Sequence, residues 1–97
     1  MTADASSWKP IYKSLSDITI LIEDVWELEH AGGPRSARIT IGRPSSFRDP
    51  GTGAELFACP FYVEGATDNI VTAVGEGPLN ALMSAVVAIR RIFKYPD

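Results

Sequence analysis

The sequence has little of the chemistry that most catalytic and metal sites use. It contains one cysteine, Cys59, and one histidine, His30, in 97 residues. A lone cysteine excludes an internal disulfide, and one Cys with one His does not supply the ligands of a zinc site. We therefore expect a reducing, cytoplasmic setting, with no bound metal or other cofactor.

Excess positive charge and long apolar runs are also absent. The chain has 9 basic and 12 acidic residues, a formal net charge of −3. Nucleic-acid binding needs a concentrated positive field, so we expect no nucleic-acid partner. The N-terminal stretch MTADASSWKP lacks a signal-peptide profile, and the most apolar segment, near residues 79–93, carries two arginines. That segment is too short and too polar to span a bilayer, so we expect no membrane association.

The composition predicts one small globular domain. Hydrophobic residues make up 45% of the chain, which is enough for a core. Residues 1–7 are small and polar, and an apolar arm follows them. We predict that residues 1–15 form a flexible or loosely docked arm and that residues 16–97 form a single domain.

Alternating segments near the N-terminus predict a β-hairpin. Residues 18–22 are dense in β-branched side chains, and residues 25–30 and 37–42 alternate between apolar and polar. Two glycines and a proline between the alternating segments are typical of a turn.

The hairpin also has a predicted register. If the turn is centred between Gly32 and Gly33, Glu27 faces Arg38 and Trp26 faces Ile39. This register gathers the apolar side chains on one face and places opposite charges together on the other.

The charges of this region fall into blocks. Five acidic residues and no basic ones lie between Asp17 and Glu29, and four arginines without an acid lie between Arg35 and Arg48. One interpretation is cross-strand charge pairing. The other is an exposed arginine ridge that binds an anion or an acidic partner. The partner-binding residues predicted on that second interpretation are Arg35, Arg38, Arg43, Phe47 and Arg48.

The segment Arg43–Leu56 predicts a long loop, because it contains two prolines, two glycines and the turn sequence DPGTG. Phe47 lies within this segment. It either folds back as a lid on the core or anchors a partner, since large exposed aromatic residues are uncommon without a use.

Two more strands are predicted after this loop. Residues 57–63 alternate, and Cys59 falls with the apolar set, so we expect a packed thiol rather than a nucleophile paired with His30. Pro60 has no N–H to donate, which places it on an edge strand or at a bulge. Residues 70–75 are the last predicted strand.

The C-terminal region predicts an amphipathic helix that begins at Pro78, with Gly77 as its cap. Arg90 lies near the margin of the apolar stripe. Either the methylene groups of Arg90 pack along the sheet edge and its guanidinium stays in water, or the guanidinium pairs with a carboxylate such as Glu64 or Asp68. The centre of the predicted stripe comprises Leu79, Leu82, Val86, Ile89 and Phe93.

Together these elements predict an α+β fold with four or five mostly antiparallel strands and the C-terminal helix across one face. The face of the sheet away from the helix, here called the second face, must also be shielded from water. We expect Tyr62, Val71, Ala73 and residues 8–22 to shield it. Failing these, a second copy of the chain would cover it. Exposed sheet edges favour self-association, so we expect a homodimer.

Several short motifs, in order, resemble a small bacterial family of unknown function. They are WELEHAGG, ITIGRP, ACPFYVEG and GPLNALMSAVVAI. Members of that family have a hairpin, a CPY or CPF strand and a terminal helix rich in Leu and Ala. The resemblance covers about two-thirds of the chain, from about residue 25 to 93. It implies an α+β fold, no established catalytic residues, and an immunity or partner-binding role.

These observations lead to a predicted function without catalysis. We predict a protein-interaction module, immunity-like or accessory, that binds a protein partner or itself. The alternative is a small-ligand-binding domain with its site between the sheet and the helix or at a dimer seam.

Overall fold

The structure is a computed structural model that describes residues 10–28, 33 and 35–93. Within that part of the chain, every paired strand is antiparallel and one helix packs on the sheet, so the predicted α+β fold is confirmed with five strands. The elements in chain order are a short 3-10 helix (Leu15–Asp17), β1 (Ile20–Leu28), β2 (Arg35–Gly42), β3 (Ser45–Arg48), β4 (Glu55–Val63), β5 (Val71–Gly75) and α1 (Pro78–Ile92).

The predicted hairpin forms from β1 and β2, but its register differs from the prediction by two residues. Trp26 lies opposite Ala37 and Val25 lies opposite Arg38. A shift of two preserves the faces of both strands, since side chains alternate with a period of two. The bulky indole thus lies beside the small Ala37, which leaves room for the Phe93 ring at 5.1 Å between ring centroids.

Pro60 lies in a central strand, at a gap between two ladders, and not on an edge strand. β4 is bordered by β5 on one side and by β2 and then β3 on the other. The pairing with β2 ends at Phe61 and the pairing with β3 begins at Ala58, so the ladder on that side is interrupted beside Pro60. The missing N–H is therefore tolerated there. A Cβ on Gly42 would come within 2.5 Å of the Pro60 ring, so the close approach of these two residues needs a glycine.

The long loop predicted over Arg43–Leu56 is wrong, because this segment forms a second hairpin from β3 and the start of β4. Asp49 organises its turn: the carboxylate accepts hydrogen bonds from Gly51 N–H at 2.9 Å and from the Thr52 hydroxyl at 3.0 Å. Such local bonds between an Asp side chain and nearby groups define a tight turn. The turn signal was read correctly, but the four-residue strand before it was missed.

The helix begins at Pro78 with Gly77 as its cap, as predicted. The predicted stripe is correct in part. Ile89 and Phe93 are buried and Leu82 packs against the core, whereas Leu79 is 65% exposed and its place is taken by Ala81 and Ala85. Gly75 explains the difference, because the backbone of the first helical turn lies against its Cα. Small side chains on the packed face let the helix approach the sheet this closely.

The N-terminal segment covers part of the second face of the sheet. The Thr72 hydroxyl donates to the carbonyl oxygen of Pro10 at 3.0 Å, and the Tyr12 hydroxyl lies 3.3 Å from the hydroxyl of Ser45. The predicted arm therefore docks over residues 10–15, and residues 1–9 lie outside the described part. The prediction that Val71 and Ala73 share this face is wrong, since their register with Phe61 and Cys59 places them on the helix side.

Candidate functional site

The helix leaves one margin of its face of the sheet exposed. α1 packs mainly on β5 and β4. The helix-side residues of β2, Ala37, Ile39 and Ile41, are also buried in the core with α1. Among the described strands, β1 lies farthest from the helix, and its Ile22 is 45% exposed on this face.

A groove runs between α1 and β1, with Ile39 and Ile41 of β2 among its lining residues. Its volume is about 150 Å³ and its walls are mostly apolar. Ile22 on β1 is 45% exposed and Val86 on α1 is 37% exposed. One end is closed by the edge-to-face contact between Trp26 and Phe93. The lining residues are Ile22, Asp24, Trp26, Ile39, Ile41, Val86 and Ile89.

The apolar surface continues from the groove onto the flank of α1. Leu79, Met83 and Val86 follow one another at spacings of four and three, so they form one stripe along the helix. Met83 is 56% exposed. We call the groove together with Leu79 and Met83 the open face. Leu79 and Val86 belong to the predicted helical stripe, and the packing of α1 leaves both exposed.

One carboxylate belongs to this apolar surface. Asp24 lies opposite Ile39 on the helix side of the sheet. One of its oxygens accepts the Trp26 indole N–H at 3.0 Å, and the other accepts the Val25 backbone N–H at 2.8 Å. The charge is thereby fixed at the β1 rim of the groove. Asp24 was not among the predicted site residues. The alternation of β1 could have identified it, because Asp24 falls between Ile22 and Trp26 on the apolar face of the strand.

Two of the predicted partner-binding arginines hold turns in place. Arg35 donates from its guanidinium to the carbonyl oxygen of Gly65 at 3.3 Å. Arg48 donates to the carbonyl oxygen of Gly53 at 2.8 Å. Gly65 has a φ of +81° and a Cβ there would collide with Arg35, so this turn and this arginine depend on each other.

The remaining predicted residues do not form one ridge with these two. Arg35 and Arg38 are three positions apart on β2, so their side chains point to opposite faces of the sheet. Arg43 lies on the second face, where it lines a small hollow with Tyr12 and Pro60. Phe47 is half-buried on β3. The structure therefore distributes the five predicted residues over several surfaces.

The predicted charge pairing between β1 and β2 changes with the register. Arg38 lies opposite Val25, and Glu23 and Glu27 take the two diagonal positions. Diagonal neighbours about 7–8 Å apart are still within reach of long side chains, but exposed charge pairs of this kind contribute little to stability. The carboxylates of Glu23 and Glu27 thus share a face with Arg38 in diagonal positions, and the directly opposed pair that the predicted register gave is absent.

Cys59 is poorly suited to nucleophilic chemistry. It is fully buried, its thiol donates to the carbonyl oxygen of Gly42 at 3.3 Å, and burial raises its pKa to about 11. Reactive thiols have lowered pKa values and some exposure. This is the packed thiol that the sequence predicted; His30 lies outside the described residues.

Among the described residues, no three His, Cys, Asp or Glu side chains are arranged to hold a metal ion. None of the described helices has the length and apolar character needed to cross a membrane. An open hollow of about 440 Å³ lies on the outer side of α1, between Met83 and Arg91.

Comparison of the chain with protein-family models, with curated protein sequences and with solved structures found no match. The resemblance to a small bacterial family therefore stays a prediction, and the functional argument depends on the geometry of the site.

Proposed function

We propose that this chain is a non-enzymatic protein-interaction module that acts through the open face. The observation that carries the proposal is the exposure of Ile22 and Val86 on the walls of one apolar groove, together with that of Leu79 and Met83 on the adjoining flank of α1. Monomeric proteins rarely leave large contiguous apolar surface in solvent unless it binds something.

The chemistry of the site supports binding in preference to catalysis. Asp24 is already engaged by the Trp26 indole and the Val25 N–H, and the thiol of Cys59 is buried away from the groove. These groups are fixed by the fold and do not converge on a reacting atom, as a catalytic set must.

A small-ligand site between the sheet and the helix has less support. The groove holds about 150 Å³, whereas pockets for small molecules usually enclose roughly 300–1,000 Å³. A shallow apolar groove beside an exposed helical flank suits the side chains of another polypeptide better.

The proposal can be tested with a photo-crosslinking amino acid placed on the open face of the full chain. We expect the variant at Met83 to crosslink to a discrete protein in its native host. The matched variant at Glu64, an exposed turn position away from the groove, should not. Binding of the purified, identified partner must also weaken when Ile22 is replaced by lysine. Absence of any product from Met83, or equal products from both positions, would refute the open face as the interaction surface.

A further inference from the structure

β1 is the outer strand of the sheet, and its free edge is long. Among the described elements it pairs with β2 alone, and this pairing is regular from Ile22 to Leu28. β1 has nine residues, whereas natural proteins often keep edge strands very short to prevent further pairing. Four of its aliphatic side chains are between 45% and 56% exposed: Ile20, Leu21, Ile22 and Val25. Within the described part of the chain, this edge is therefore open and aliphatic.

Hydrogen bonds on the other side of β2 show which backbone groups of β1 point outward. The Glu64 N–H donates to the carbonyl oxygen of Arg38 at 2.9 Å, so the backbone groups of Arg38 face β4. Val25 lies opposite Arg38 and therefore does not exchange backbone hydrogen bonds with β2. Its N–H and C=O point to the free edge. Those of Glu23 and Glu27 do the same, because the direction alternates along an antiparallel strand.

The residues whose backbone groups face outward also carry the charge of this edge. The side chains of Glu23, Val25 and Glu27 lie on the second face, away from the groove. Arg38 is the basic residue of β2 on that face, and Glu64 is its neighbour on the β4 side. One guanidinium thus lies among three carboxylates, and the edge keeps an excess of negative charge.

These carboxylates select which strand can pair with the edge. Like charges directly opposite each other in a sheet are destabilising, and opposite charges are stabilising. Two β1 strands paired antiparallel about Val25 would place Glu23 of each copy opposite Glu27 of the other. A strand with basic residues at those two positions meets two opposite charges instead.

The Asp24 carboxylate covers the central donor of the edge. One oxygen accepts the Val25 N–H at 2.8 Å, and an added strand must displace it with a carbonyl oxygen. The other oxygen keeps its hydrogen bond to the Trp26 indole. The displacement makes pairing with an unselected strand less favourable, and it leaves a carboxylate oxygen for a hydroxyl group on the added strand.

The groove side of β1 gives an added strand its apolar contacts. Ile22 and Trp26 line the groove from this strand. Side chains directly across an antiparallel pair lie about 4.5–5.5 Å apart. An apolar residue opposite each of these two would cover surface that is now exposed beside the groove.

Resting on the proposed function, we infer that the partner binds through an extended basic segment that adds as an antiparallel strand to the edge of β1. The segment is basic opposite Glu23 and Glu27 and β-branched opposite Val25. Its intervening residues face the groove side, where they are apolar opposite Ile22 and Trp26. Main-chain hydrogen bonds supply the affinity of such a complex, and the alternating side chains supply its specificity.

Binding of a synthetic peptide to the full chain, measured by calorimetry up to millimolar peptide, tests this inference. The probe is the capped hexapeptide Lys-Ile-Val-Thr-Lys-Ile. Its lysines fall opposite Glu27 and Glu23 when its valine falls opposite Val25. We expect it to bind about 2- to 30-fold more tightly than the same peptide with alanine in place of both lysines, because each of the two opposite-charge pairs is worth about 1.4- to 5-fold.

Methylation of single backbone amides tests whether the peptide binds as a strand. In the inferred register the valine N–H of the probe faces β1, and its threonine N–H faces away. N-methylation at the valine should abolish measurable binding, because it removes a donor and places a methyl group between the strands. The matched N-methylation at the threonine should leave the affinity close to that of the probe.

A charge exchange tests the place of binding. The double variant Glu23→Lys with Glu27→Lys should prefer the peptide that has glutamates in place of its lysines. The control is Asp68→Lys with Glu76→Lys, which makes the same change of net charge at two exposed loop positions beyond β4 and β5. We expect this control to keep the preference for lysines. Circular dichroism confirms that both double variants fold.

The outcomes separate this inference from the proposed function. No binding of the probe, or equal effects of the two methylations, overturns strand addition. A preference for lysines that both double variants lose alike reflects net charge and overturns the site. A dimer of the parent chain that the probe does not dissociate identifies a second copy as the occupant and also overturns the inference. In each case a crosslink from Met83 leaves the interaction module standing, whereas absence of both the peptide binding and the crosslink overturns both.

Discussion

Replacement of Gly75 by alanine tests the contact that sets the position of α1. Gly75 pairs with Phe57 on the helix side of the sheet. An added Cβ would lie 2.6 Å from the carbonyl carbon of Asn80 and 2.9 Å from the Cα of Ala81. These are backbone atoms of the first helical turn, and no flexible side chain can move aside to make room.

The expected cost follows from this geometry. Overpacking a well-packed site destabilises proteins by about 1–3 kcal/mol. Because the obstacle is helix backbone, we expect the upper end, about 3 kcal/mol. For a domain of this size that corresponds to a thermal midpoint lower by roughly 12–24 °C. Urea unfolding should show a midpoint about 2 M lower if the slope is near 1.5 kcal/mol/M.

Gly51→Ala is the control for the Gly75 prediction. The nearest atom to a Cβ at residue 51 is an Asp49 carboxylate oxygen at 3.5 Å, an ordinary contact. We expect a change within about 0.5 kcal/mol. If Gly75→Ala proves as stable as Gly51→Ala, the helix does not approach β5 this closely, and the account of why its apolar stripe is left exposed fails with it.

Two further predictions concern the cap of α1 and the buried thiol. Gly77→Asp should stabilise the fold by about 0.5–1 kcal/mol in urea unfolding, because residue 77 is an extended N-cap with open space around its Cβ and the first turn has no acid; unchanged or lower stability would contradict this. The raised pKa of Cys59 predicts that its contribution to stability is complete below pH 9 and is lost as pH rises to about 11, since the unfolded thiol ionises first. The difference in unfolding free energy between the parent and Cys59→Ala should therefore change by roughly 2–3 kcal/mol over that range, and a difference independent of pH would refute the prediction.

Local patterns in the sequence were sufficient for the outline of the fold. Alternation identified the strands of the first hairpin, and the Gly-Pro pair identified the start of α1 at Pro78. Both are local signals, since strand alternation and helix capping depend on residues only a few positions apart. The short β3 was missed because four residues carry too little periodicity to stand out from the turn chemistry around Asp49.

The candidate site was less predictable. The sequence predicted a single partner-binding surface because its five residues are close along the chain. They are Arg35, Arg38, Arg43, Phe47 and Arg48. Strand geometry separates them, since alternate residues face opposite ways and two of these arginines bind turn carbonyls at Gly65 and Gly53. Asp24 was overlooked because its hydrogen bond to the Trp26 indole depends on the rotamers of both side chains.

Apart from the short β3, the sequence alone determined where the strands and the helix lie and which side of each is apolar, because those properties follow from the local period of the chain. The tertiary structure decided how much of each apolar side is buried. The apolar stripe of α1 is wider than the surface it packs on, and only the close approach at Gly75 selects Ala81 and Ala85 for burial. That choice leaves Leu79 and Met83 in solvent, and it could not be read from periodicity because it depends on backbone atoms of β5 and α1 meeting in space.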